Sequence, residues 1–68
     1  MIPIPYEHFR ANRSFICDAM RRHGGGFCEG LALALSRADD SNSRRIYETW
    51  PHYWQDFGPG GRFFHTTP

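Results

Sequence analysis

The sequence predicts an all-α protein: a small bundle of three to four short helices around a central apolar helix over about residues 27–38. The N- and C-terminal segments are read as extended or flexible, with pairing between them one of the options left open. Three observations carry this reading. Apolar side chains recur at spacings of three and four along most of the chain. Glycine, proline and Asp/Ser/Asn clusters interrupt that periodicity at the intervals of short helices. The stretch "FCEGLALALSRA" is apolar nearly all round, which predicts a helix enclosed by others. Sixty-eight residues form one domain, 1–68, with 1–5 and 59–68 as its extended ends.

In "MIPIP", Pro3 and Pro5 disfavour helical geometry at Ile2 and Ile4. A helix can start at about Pro5, since proline tolerates the first turn. Tyr6, Phe9, Ile16 and Met20 then trace one apolar stripe. Asn12 and Ser14 interrupt it and are capping residues, which predicts a short first turn and then a helix over about 13–23. Arg21, Arg22 and His23 suit the negative end of that helix. The run Gly24, Gly25, Gly26 closes it with a reversal. In the next helix Phe27, Leu31, Ala34 and Leu35 form the core face, with Cys28, Ala32 and Leu33 covering much of the rest. Gly30 in its interior costs up to about 1 kcal/mol relative to alanine and is expected to admit a close neighbour.

"DDSNS" is a turn in which Asp40 or Ser41 caps a further helix starting near 42. Ile46, Trp50, Tyr53, Trp54 and Phe57 continue as one stripe, but Pro51 removes a backbone donor and crowds the carbonyl of Tyr47. The prediction is two short helices, about 42–49 and 51–57, bent at the proline, with Ile46, Trp50, Tyr53 and Phe57 inside. Gly58 and Pro59 end the second. The tail "RFFHTTP" either pairs with "MIPIP", lies across the bundle or hangs free.

A formal net charge of +1 argues against a protein built to bind nucleic acid by charge alone. All eight basic residues are arginine, a planar cation suited to interfaces. No apolar run is long enough to cross a bilayer and the start lacks a secretory pattern, so a cytoplasmic protein with reduced cysteines is expected. Two cysteines make no disulfide framework, although a Cys17–Cys28 bridge across the glycine turn is geometrically reasonable. Cys17, His23 and Cys28 with His8, His52 or His65 are a nominal zinc set, but their spacing matches no compact ligand pair. Small buried core cysteines are the favoured alternative. Either cysteine with His23 and Asp18 or Glu29 is a nominal catalytic set without a local signature. A chain this short also has little room for a pocket of roughly 300 Å³. The sequence is therefore read as a non-enzyme without cofactor or metal.

Helix–GGG–helix is superficially like a DNA-reading motif, but the second helix is too apolar to read bases. A patch of Arg10, Arg13, Arg21, Arg22, Arg44 and Arg45 leaves nucleic acid as the lesser alternative; pairing of these arginines with Asp18, Glu7 and Glu48 is favoured. Tryptophan, tyrosine and arginine dominate protein interfaces. The candidate partner-binding residues are accordingly Tyr47, Trp54, Phe63, Phe64, Arg21, Arg22, Arg44 and Arg45. Tyr47 and Trp54, seven apart, are expected to form a second stripe outside the core one. The molecule is expected to be a monomer or a homodimer.

From 24 to 61, "GGGFCEGLALALSRADDSNSRRIYETWPHYWQDFGPGG" resembles small phage- and prophage-encoded proteins of unknown role. The shared features are "GGF" (25–27), an Ala/Leu-rich helix (31–35), "RADxxN" (37–42), an arginine-led helix (44–46) and an aromatic–Pro–x–aromatic segment ending in "FG" (50–58). The resemblance implies a phage accessory protein, and such proteins include anti-CRISPR inhibitors that act by binding. It implies a host protein or CRISPR–Cas effector component as partner, and coverage of a protein surface such as the channel of a surveillance complex or nuclease. It transfers no functional residues. The near-neutral charge does not fit a DNA mimic.

Overall fold

Residues 4–65 are described by a computed structural model. Helices follow one another with short joints: α1 (Tyr6–Ala11), α2 (Arg13–His23), α3 (Gly25–Ser36), α4 (Asp40–Thr49), a 3-10 turn (Pro51–Tyr53) and α5 (Trp54–Phe57). No strand occurs among the described residues, and the all-α class stands. The Cα radius of gyration, 10.5 Å, is close to the ~11 Å of a compact chain of this length.

Each joint has a chemical cause. Pro5 precedes α1 in extended geometry and its carbonyl accepts the first turn's N–H groups. Asn12 does not cap α2 with its side chain as its type suggests. Its Nδ2 instead donates back to the His8 carbonyl, 2.9 Å, closing α1. Gly24 is the whole joint between α2 and α3. A Cβ there would lie 2.3 Å from Cys28 Cβ, so only glycine lets the helices meet this closely. Gly25 starts α3 at a φ of 76°, a left-handed value that side chains resist. Asp39, one residue before the expected caps, holds the start of α4: its carboxylate accepts the Asn42 N–H at 2.8 Å.

Pro51 breaks the fourth helix as expected. A straight helix would pair the Tyr47 carbonyl with the N–H of residue 51, and proline has none. Trp54 supplies the donor instead: its Nε1 reaches the Tyr47 carbonyl at 2.9 Å. The Tyr47 hydroxyl in turn donates to the Ile4 carbonyl, tying the N-terminal segment to α4.

The inside and outside of this wall are reversed from expectation. Tyr47 and Trp54 are core residues, Trp54 with no exposure at all, whereas Ile46, Trp50 and Tyr53 are only half-buried; Phe57 is buried as expected. The expected stripe needs one helical period to continue through the proline, and it does not. The 3-10 turn advances about 120° per residue instead of 100°, and Trp50 before it leaves helical geometry altogether. The phase is reset, and Trp54 turns back under Tyr47.

The core is an aromatic cluster plus one face of α2. Phe9 lies 4.6 Å from Trp54 and 5.1 Å from Tyr47, centroid to centroid, at tilted and edge-on angles favoured by ring quadrupoles. From α2, Ile16, Cys17, Ala19 and Met20 close over it. The helix that touches most others is α2, which packs along α3 and also contacts α1 and α5. α3 buries Cys28, Leu31, Ala32 and Leu35 and leaves Phe27 and Leu33 in solvent, so the enclosed rod expected at 27–38 is half-enclosed. Its apolar character exceeds what this chain's own core uses.

The tail lies across the bundle. Phe63 stacks on Phe57 at 5.4 Å and on His23 at 4.8 Å, and Phe64 meets Phe15 edge-on. Its backbone bonds are local, Phe63 N–H to the Asp56 carbonyl and Phe64 N–H to that of Gly61. The expected pairing of the two ends falls partly on residues 1–3 and 66–68, which lie outside the described residues.

Candidate functional site

Between the C-terminal half of α3 and α4 runs an open groove of about 480 Å³. The sequences of the two helices explain it. From α3 and the joint after it the apolar lining is small, Ala34 and then Ala38 beyond the helix end. On α4 the facing residues are Ile46 and Trp50, held half-exposed by the break at Pro51. Small side chains against large ones leave a trough with an apolar floor. Arg37 and Arg45 border it. Neither makes an ion pair among the described residues, and no carboxylate lines the groove to neutralise them.

The apolar surface continues past Trp50. Phe27, 56% exposed, meets Trp50 edge-on at 5.9 Å and Tyr53 at 6.1 Å, and His52 lies against Tyr53 at 4.4 Å. A solvent-facing patch of four aromatic side chains thus borders a groove with two uncompensated guanidinium groups. The groove is larger than the chain length led us to expect. Its lining holds no cysteine, histidine or carboxylate, so it offers binding chemistry and no general acid, base or thiol nucleophile.

The residues singled out in the sequence are spread over the molecule. Tyr47 and Trp54 are unavailable to a partner, being core residues with their polar atoms engaged internally. Phe63 and Phe64 are half-buried against the body. Arg22 pairs with Asp18 at 3.1 Å, and Arg44 pairs with Glu48 at 3.4 Å while lying over the Tyr6 ring. Arg21 is exposed at the end of α2. Of the eight, only Arg45 lines the groove. Sequence reasoning missed Phe27, Arg37, Ile46 and Trp50. The signal available for Phe27 was its place beside Gly26 and Gly30 on a helix with more apolar surface than a small core can take up.

Cys17 and Cys28 are both buried and unbridged. Burial pushes the Cys17 thiol above its ordinary value, with Arg21 and Arg13 offsetting part of the effect, and burial alone pushes Cys28 up. Both groups therefore resist forming the thiolate that a nucleophile or metal ligand needs. Among the described residues no three His, Cys, Asp or Glu side chains gather as a metal site, and no helix is long and apolar enough to cross a membrane. No protein-family model, curated protein or solved structure matches the chain.

Proposed function

We propose that this protein acts by stoichiometric, non-catalytic binding to another protein through the α3–α4 groove and its aromatic rim. The observation that carries the reading is the pairing of an apolar floor, Ala34, Ala38, Ile46 and Trp50, with Arg45 and Arg37 and no carboxylate. This chemistry suits a protein segment that presents carboxylates beside an apolar side chain. Arginine can take a carboxylate with two parallel hydrogen bonds, and tryptophan and arginine are the types that anchor interfaces. The resemblance over 24–61 supports the finer reading. On it, the protein is a phage-derived inhibitor of a host defence system, of the anti-CRISPR kind, working in the bacterial cytoplasm on a CRISPR–Cas effector component.

The test is expression in a bacterium with active CRISPR immunity, followed by infection with a targeted phage and purification of the effector. The expected outcome is restored infection and a co-purifying complex, both lost in Trp50→Ala and Arg45→Glu. Intact immunity and an effector free of this protein overturn the inhibitor reading. Trp50 beside Arg37, Arg45 and Asn42 is also the one feature that favours the nucleic-acid alternative, since a base stacks on an indole while guanidinium groups take phosphates. Retention of short DNA or RNA that weakens steeply with salt would replace the protein-binding reading.

A further inference from the structure

The outer face of α3 has no partner within the chain. Opposite its buried side stand Glu29, Gly30, Leu33 and Arg37, all exposed, Leu33 to 48%. Leu33 is an apolar knob. Gly30, one turn before it, is bare backbone: a Cβ there would meet nothing within 4 Å. No intramolecular contact therefore explains a glycine that weakens the helix. Glu29 and Arg37 make no ion pair among the described residues, and they stand four positions either side of Leu33.

We propose that this face is the contact of an antiparallel homodimer, with α3 crossing α3 of a second copy about a twofold axis at Leu33. The charges decide both occupant and direction. Parallel helices would set Glu29 against Glu29 and Arg37 against Arg37. Antiparallel helices set Glu29 against the partner's Arg37, and Arg37 against the partner's Glu29, so one surface satisfies both halves of an isologous contact. In this register Leu33 packs against Leu33 of the second copy, and Gly30, facing position 36 of that copy, adds no side chain that would hold the two helices apart. The twelve-residue α3 is about 18 Å long and about 10 Å wide, so the strip it offers, on the order of 200 Å², falls well short of the ~800 Å² per partner of a standard interface. The association is therefore weak and depends on concentration. It engages Arg37, so the dimer leaves Arg45 as the cation of the groove and competes with any groove partner that needs both arginines.

Sedimentation velocity of the full chain from about 10 µM to 1 mM spans weak association and tests the proposal. The wild type is expected to pass from monomer to dimer. Glu29→Arg and Arg37→Glu, each alone, set like charges against each other and are expected to weaken the dimer about tenfold or more. An equimolar mixture of the two variants restores both pairs, as does the double variant, and dimer is expected to return. Recovery in the mixture also shows that both variants are folded. A wild type that stays monomeric, a dimer unaffected by either single change, or a mixture that fails to reassociate overturns the proposal.

Discussion

Pro51 takes one N–H away from the backbone, and Trp54 returns one from its indole. That exchange at the Tyr47 carbonyl couples a buried hydrogen bond to core packing, because the ring that makes it also fills the core against Phe9. Trp54→Phe keeps an aromatic ring but leaves the carbonyl without its donor and the core short of volume. The expected loss is about 2–4 kcal/mol, most of the ~3–5 kcal/mol a core of this size supplies. Urea denaturation followed by circular dichroism measures it, and a variant as stable as the wild type would show that the bond matters little. None of this could be read from residue types. Proline at 51 announces a missing donor, but nothing in the sequence says which side chain replaces it.

At the scale of elements, the glycines of the α2–α3 joint and of α3 have different tasks. Gly24→Ala forces a Cβ to 2.3 Å from Cys28 Cβ and 2.7 Å from the Met20 carbonyl, and is expected to destabilise by about 1–3 kcal/mol. Gly30→Ala meets nothing and improves helix propensity, so it is expected to stabilise by up to about 1 kcal/mol. Thermal melts in the low micromolar range, where subunits are apart, decide both; equal signs would contradict the packing described. The helices themselves were legible where punctuation is chemical: glycines after His23, the Asp/Ser cluster before α4, the break at Pro51, although the cap of α4 is Asp39 and not Asp40 or Ser41. Which face turned inward was legible only where one uninterrupted helix carried the pattern, as in α2. It was not legible in α4, where Tyr47 is buried and Ile46 half-exposed ahead of the break, and beyond Trp50 non-helical geometry and a tighter turn shift the phase again. The groove was hidden for a related reason. Its lining comes from separate elements, and Ile46 and Trp50 look like core when their own stretch is read alone.

At the scale of the whole molecule, three buried groups are held away from their charged forms. Burial raises the Cys17 and Cys28 thiols above the ordinary 9.0, and raises the Tyr47 phenol above 10.0 against the lowering pull of Arg44. Below 9.0 both folded and unfolded chains keep these protons, and the stabilisation is complete. Above it the unfolded chain ionises first, so stability is lost as pH rises through the raised folded values. The thermal midpoint is expected to hold steady up to pH 9.0 and then fall, with Tyr47 adding to the decline beyond 10.0. Cys17→Ala is expected to soften the first stage of the fall. A midpoint that stays level through this range would mean that the three groups ionise equally well in both states.

The two tryptophans differ in the same respect: Trp54 is sealed from water, whereas Trp50 stands at the mouth of the groove. The molecule thus carries two intrinsic fluorophores in contrasting media. Emission from the first is expected to report unfolding, and emission from the second to report any molecule that seats in the groove, without an attached dye.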